Sequence, residues 1–158
     1  MYWSAYAYEG KDGILKAEMD GTNAAQIVTG LDLPAGIVID FISYRLFWAD
    51  YGTNKIQSSN LDGTDIQLVA QLSSSPYTGP WGIAVTDEQL FWGNYNAKSI
   101  QRSGKMGQDV QTLYNGTNSF NNLVVASSIP VQTRPNHCEG QKWSGGICVL
   151  NKYSFRCI

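Results

Sequence analysis

The sequence of 158 residues predicts an all-β repeat fold, and three observations carry that expectation. Sixteen glycines and 12% aromatic residues, beside only 15% charged ones, favour turn-rich β structure over a helical bundle. A unit of about 44 residues recurs along the chain. Finally, no segment shows a helical hydrophobic period, whereas short apolar runs are separated by turn chemistry. The formal charge of −2 supplies no field for nucleic acid. The longest apolar stretch, Leu33 to Ile42, is broken by Pro34 and Asp40 and falls short of the roughly 20 residues a membrane helix needs. Met1 leads at once into Tyr2-Trp3-Ser4 with no basic start or apolar h-region, so any secretory signal is expected to have been removed or to have never been in this sequence.

The elements follow from the repeat. Tyr2-Trp3, Phe47-Trp48 and Phe91-Trp92 mark one position in each copy. Ile14, Ile56 and Ile100 each stand six residues before Asp20, Asp62 and Met106, which are followed by Gly21, Gly63 and Gly107. Asp-Gly is the dipeptide of tight hairpins, because glycine accepts positive φ without a Cβ clash. Upstream, the run from Pro34 to Asp40 matches Pro80 to Thr86 and, more weakly, residues 121–125. In the middle copy this reads as strands A to D at 36–40, 45–49, 55–60 and 65–70. Four antiparallel strands per repeat of this length describe a propeller blade. The predicted order is BCD, ABCD, ABCD and a final A at 122–126, twelve strands in three blades.

Cys138, Cys148 and Cys157 fall within the last 21 residues, leaving a cysteine-free body. They lack the paired C-x-x-C spacing of zinc sites, and His137 is the only histidine, so a disulfide framework in an oxidising compartment is the better reading. An odd count leaves one thiol free or joined to another chain.

Tyr-Trp-Ser-Ala at 2–5, Phe-Trp-Ala-Asp at 47–50 and Phe-Trp-Gly-Asn at 91–94 resemble the YWTD signature of low-density-lipoprotein-receptor class B repeats. The Pro-x-Gly-Ile-x-Val/Ile run before the motif and the Ile-x-x-x-x-Leu-Asp-Gly-Thr run after it match as well, most fully in the middle repeat. Only that repeat keeps the signature aspartate, as Asp50; Ala5 and Asn94 stand at its place in the others. The resemblance covers residues 1 to about 126 and implies a six-bladed ring, of which this chain carries half. It also implies that the tail is a truncated epidermal-growth-factor-like module, dividing the chain into 1–130 and 131–158. On that alignment Cys138 and Cys148 form the usual disulfide, and Cys157 is the orphan, either a free thiol or a covalent tie between chains. Three blades alone would expose two sheet edges and a bare face, so a homodimer closing one ring is expected, the alternative being a piece of a longer receptor.

In an up-and-down blade the B-to-C and D-to-A loops emerge on one face. Length variation between repeats falls on that face, at 5–13 and 73–80, and variable loops on a regular scaffold usually carry function. These insertions hold Tyr6, Tyr8 and Tyr77 and lead into Trp81, which replaces Ala35 of the preceding repeat. Each repeat also places a tyrosine three residues after its tryptophan, giving Tyr6, Tyr51 and Tyr95, with Asn54, Asn94 and Asn96 as polar neighbours. Such residues suit a recognition surface, although the tyrosines are as well placed to pack between blades. Trp3, Trp48 and Trp92 read as core. Asp40 and Asp87 read as turn or strand-end groups.

A lone histidine removes triads and most metal-assisted hydrolysis, and no phosphate-binding glycine loop or calcium pattern is present, so neither an enzyme nor a cofactor or metal is expected. The reading is a secreted binding protein that takes an extracellular protein on its loop face, the alternative being a lectin with repeated aromatic sites. The sequon Asn115-Gly116-Thr117 is a candidate glycosylation site, in keeping with secretion.

Overall fold

A computed structural model describes residues 1–6, 12–72, 78–120 and 122–125, together with the strand backbones at 148–151 and 154–157. Two compact units divide the chain, Met1–Ser127 and Ser128–Ile158. All described elements are strands.

In the first unit β1 (Tyr2–Ala5), β2 (Gly13–Lys16) and β3 (Ala25–Thr29) form a three-stranded sheet. Four-stranded sheets follow: β4 (Pro34–Asp40), β5 (Arg45–Asp50), β6 (Lys55–Asn60) and β7 (Gln67–Gln71), then β8 (Pro80–Val85), β9 (Gln89–Asn94), β10 (Ser99–Gly104) and β11 (Gln111–Asn115). Every neighbouring pair is antiparallel and sequential, so these are three blades in the expected order BCD, ABCD, ABCD. The final A differs from expectation. Residues 122–125 lie against Gly82 of β8, where a further strand A belongs, but join no sheet. The ladder partner of a strand A is strand B of its own blade, and β8 already bonds β9.

The pleat sorts side chains between neighbours. Along β5, Leu46 and Trp48 join Ile14 and Val28 of blade 1, whereas Phe47 and Ala49 join Ile83, Leu90 and Trp92 of blade 3. Trp48 and Trp92 are fully buried, but Trp3 is only half-buried. The difference is positional, since each of the other two tryptophans faces the preceding blade and no blade precedes Trp3 in this unit.

The C-to-D turns repeat one device. Asp20 accepts hydrogen bonds from the Thr22 amide and hydroxyl, and Asp62 does the same for Thr64. Blade 3 lacks that aspartate, and Gln108 Oε1 accepts the Met106 amide instead. Gly21, Gly63 and Gly107 follow at φ of 86°, 86° and 82°. Each C–D ladder then slips by one residue, leaving Ile27, Val69 and Leu113 as the bulged positions.

In the second unit, β12 (Cys148–Asn151) pairs with β13 (Ser154–Cys157), with Cys148 directly opposite Cys157. Cys138 lies outside the described residues.

Candidate functional site

The D-to-A and B-to-C loops meet on one face through equivalent backbone bonds in blades 2 and 3. The Tyr51 amide donates to Leu33 O, and the Tyr95 amide to Gly79 O. Side chains reinforce each joint differently. Asp50 is buried; its Oδ1 accepts the Asp32 amide at 2.9 Å and its Oδ2 the Thr53 hydroxyl at 2.7 Å. Burial pushes its carboxyl above the usual carboxylate value, the two hydrogen bonds only partly opposing it. Asn94, the counterpart in blade 3, instead donates to Ser99 Oγ and to Gln101 Oε1. The loop before β8 is held by Asn54, whose Oδ1 accepts both the Thr78 hydroxyl and the Gly79 amide at 2.9 Å.

That anchoring assembles an aromatic cluster. Trp81 meets Tyr51 edge to face at 5.3 Å between ring centroids, and Tyr95 at 5.6 Å with a 42° tilt. Asn96 Nδ2 donates to the Tyr51 hydroxyl at 2.8 Å. Gly79, at φ 53°, lies so close to the Tyr51 ring that a Cβ there would overlap it. Trp81 and Tyr95 remain 38% and 36% exposed, enough for both rings to meet a ligand while packing on each other.

Beside the cluster opens a cleft of about 520 Å³. Ser4 and Tyr6 of blade 1, Leu33 to Gly36 at the start of β4, Trp81 and Gly82 at the start of β8, and Asn122 line it. Among these described lining residues none is charged. Tyr6 is 71% exposed at the rim, and Ser4 directs its hydroxyl to Ala35 O.

The structure thus brings Tyr6 and Trp81 to one cleft and Tyr51, Tyr95, Asn54 and Asn96 to the cluster behind it. Tyr8 and Tyr77 lie outside the described residues. Leu33, with φ 53°, and the Pro34–Gly36 wall were missed by sequence reasoning, which sought recognition residues among aromatics; the run Pro34-Ala35-Gly36 offered only its small size as a signal. Asp40 closes the β4–β5 turn by accepting the Ile42 amide and the Ser43 hydroxyl. Asn115 ends β11, a fully exposed strand.

No family model matches the chain. It is similar to low-density lipoprotein receptor-related protein 5 of Mus musculus, at 37% identity over 68 residues, which are 43% of this chain and 4% of that protein. It is also similar to protein cueball of Drosophila yakuba, at 38% over 77 residues, 46% of this chain and 12% of that one. The matches therefore span only a small part of either relative. In fold it resembles a chain of a nidogen/laminin complex, with a TM-score of 0.63 and 23% identity over 70% of this chain and 43% of that chain. A gluconolactonase from Xanthomonas campestris shares the fold less closely, with a TM-score of 0.54 and 17% identity over 67% of this chain and 40% of that one. The recurring Phe-Trp motif, the strand order and these sequence and fold matches agree: the chain carries a YWTD repeat domain, laid out as three propeller blades.

Proposed function

We propose that this chain is an extracellular, non-enzymatic binding protein that takes a protein ligand on its loop face, with Trp81 as the central contact. The observation that carries the reading is the cleft walled by Trp81 and rimmed by Tyr6, its aromatic wall backed by Tyr51 and Tyr95. A partly exposed tryptophan held by two tyrosines presents apolar area at little entropic cost, the composition of an interaction hot spot. Asn54 and Asn96 hold the wall in place; Tyr8 and Tyr77 extend the same loops in sequence. The fold neighbour from a nidogen/laminin complex supports a protein as ligand. The second reading, a lectin, is favoured by the exposed Trp81 and Tyr95 rings, which suit the apolar face of a sugar.

Two copies are proposed to close one ring of six blades, in a domain spanning 1–130, with 131–158 as a partial growth-factor-like module and Asn115 glycosylated. The reading pairs Cys138 with Cys148. Cys157 stands opposite Cys148 in the hairpin and competes for that partner. Peptide mapping of the oxidised protein separates the two: a linked Cys138–Cys148 peptide supports the reading, and a Cys148–Cys157 peptide replaces it.

The test of the ligand class uses immobilised protein, wild type and Trp81→Ala, exposed to an extracellular-matrix extract with cross-linking and to a glycan array. Proteins cross-linked at loop-face residues and lost at least tenfold in Trp81→Ala are expected. Array binding inhibited by a free sugar would make the chain a lectin, and neither signal would overturn both readings.

A further inference from the structure

The A-to-B and C-to-D turns of an up-and-down blade emerge opposite its B-to-C loop, so the blades have a second face, away from the aromatic cluster. On it stands the turn 41–44, between β4 and β5. Phe41 is 75% exposed, Ile42 62% and Tyr44 68%. Scattered exposed apolar residues are ordinary, but three within one short turn form a patch. The turn does not need them to close. Its equivalent in blade 3, 86–88, reads Thr-Asp-Glu and is closed by polar groups, the Thr86 amide donating to Gln89 O and the Gln89 amide to the Thr86 hydroxyl.

In blade 2 the turn is fixed at its base. Asp40 accepts the Ile42 amide and the Ser43 hydroxyl, and Lys105 of blade 3 reaches the same carboxylate. Phe41 and Ile42 are therefore offered by an ordered backbone, which lowers the entropic cost of covering them. Between this turn and its blade 3 equivalent lies a cleft of about 210 Å³. Phe41 and Ile42 line it from blade 2, Val85, Thr86 and Asp87 from blade 3, with Val125 beside them. Blades 2 and 3 are both complete four-stranded sheets, so the two turns that frame the cleft are whole. Its charge is one-sided. Lys105 is paired with Asp40, whereas Asp87 and the adjoining Glu88 are exposed and form no ion pair among the described residues.

We infer that this turn face is a second docking surface, and that it takes an extended protein segment presenting an apolar side chain next to lysine or arginine. The apolar side chain enters the cleft against Phe41, Ile42 and Val85, and the cation meets Asp87 with Glu88 beside it. Charge selects this occupant, because an acidic segment or an anionic bilayer would be repelled by the same two carboxylates. The cleft shares no lining residue with the one on the loop face, so the chain can hold a partner on each side. The inference stands independently of the loop-face reading.

The experiment is fluorescence anisotropy on the whole chain with three synthetic peptides: leucine flanked by lysines, leucine flanked by glutamates, and alanine flanked by lysines. Wild type is expected to bind the first at least tenfold more tightly than either of the others. Phe41→Ser and Ile42→Ser alter exposed side chains, so both are expected to keep the wild-type circular dichroism spectrum while weakening that binding at least tenfold. Asp87→Lys is expected to invert the preference in favour of the glutamate-flanked peptide, an outcome that misfolding does not produce. Trp81→Ala is expected to leave all three affinities unchanged. Equal or absent binding of the three peptides by wild type would overturn the inference, as would a preference that survives Phe41→Ser and Asp87→Lys. Loss of binding in Trp81→Ala would move the peptide to the loop face and overturn it too. Binding to phosphatidylcholine vesicles that is lost in Phe41→Ser, with no preference among the peptides, would replace the protein segment by a lipid surface.

Discussion

At the scale of single residues, Gln101 carries more than its sequence suggests. Its Oε1 accepts from Trp92 Nε1 at 3.1 Å and from Asn94 Nδ2 at 2.9 Å, and its own amide donates to the Thr112 hydroxyl. Gln101→Leu keeps the volume but leaves a buried indole N–H unpaired, at an expected cost of about 2 kcal/mol in urea unfolding. Asp50 gives a pH-dependent case. Burial raises its carboxyl pKa, so the folded protein binds that proton more tightly than the unfolded chain and Asp50 favours folding least at neutral pH. Asp50→Asn is therefore expected to change stability in a more favourable direction at about pH 7 than at about pH 4; an identical change at both would refute the burial account. The Trp-Gly/Ala-Asn/Asp spacing was legible, but the opposite hydrogen-bond roles of Asp50 and Asn94 depend on which neighbours reach them.

At the scale of elements, the turns were legible and the connections between blades were not. Asp-Gly at 20–21 and 62–63 specifies a hairpin locally, since both the Asx hydrogen bond and the positive φ lie within the turn. Lys105 has no such signature. It follows β10, and its Nζ reaches Asp40 Oδ2 at 2.6 Å, joining blades 2 and 3 in an ion pair whose carboxylate side chain is 4% exposed. Burial alone would raise the Asp40 pKa, but Lys105, the Ser43 hydroxyl and the Ile42 amide outweigh it and hold it below its usual value. That contribution is complete above the ordinary value of 3.8 and is lost as pH falls through the lower folded value. Lys105→Met leaves Asp40 buried without its cation and is expected to cost about 3 kcal/mol at neutral pH. The deficit should shrink on acidification as Asp40 becomes protonated; a pH-independent deficit would mean that packing, not the ion pair, accounts for the loss. Gly79→Ala is expected to displace Tyr51 and weaken loop-face binding along with Trp81→Ala, because the ring occupies the space a Cβ requires.

At the scale of the whole molecule, assembly links stability to concentration. If two copies close one ring, as proposed, the thermal midpoint rises with protein concentration. A midpoint independent of concentration would argue against two-copy assembly.

The sequence by itself determined the repeat, the all-β class, the strand order within each blade and the turn glycines, because pleat alternation and hairpin chemistry are local and recur three times. Tertiary structure alone decided that Tyr6 and Trp81 share a cleft, that Tyr51 and Tyr95 back its wall, that Asn54 holds the neighbouring loop, and that residues 122–125 occupy a first-strand position without a sheet. These arrangements join residues at least fourteen positions apart, and no local pattern encodes which blade face a side chain meets until the blades are packed.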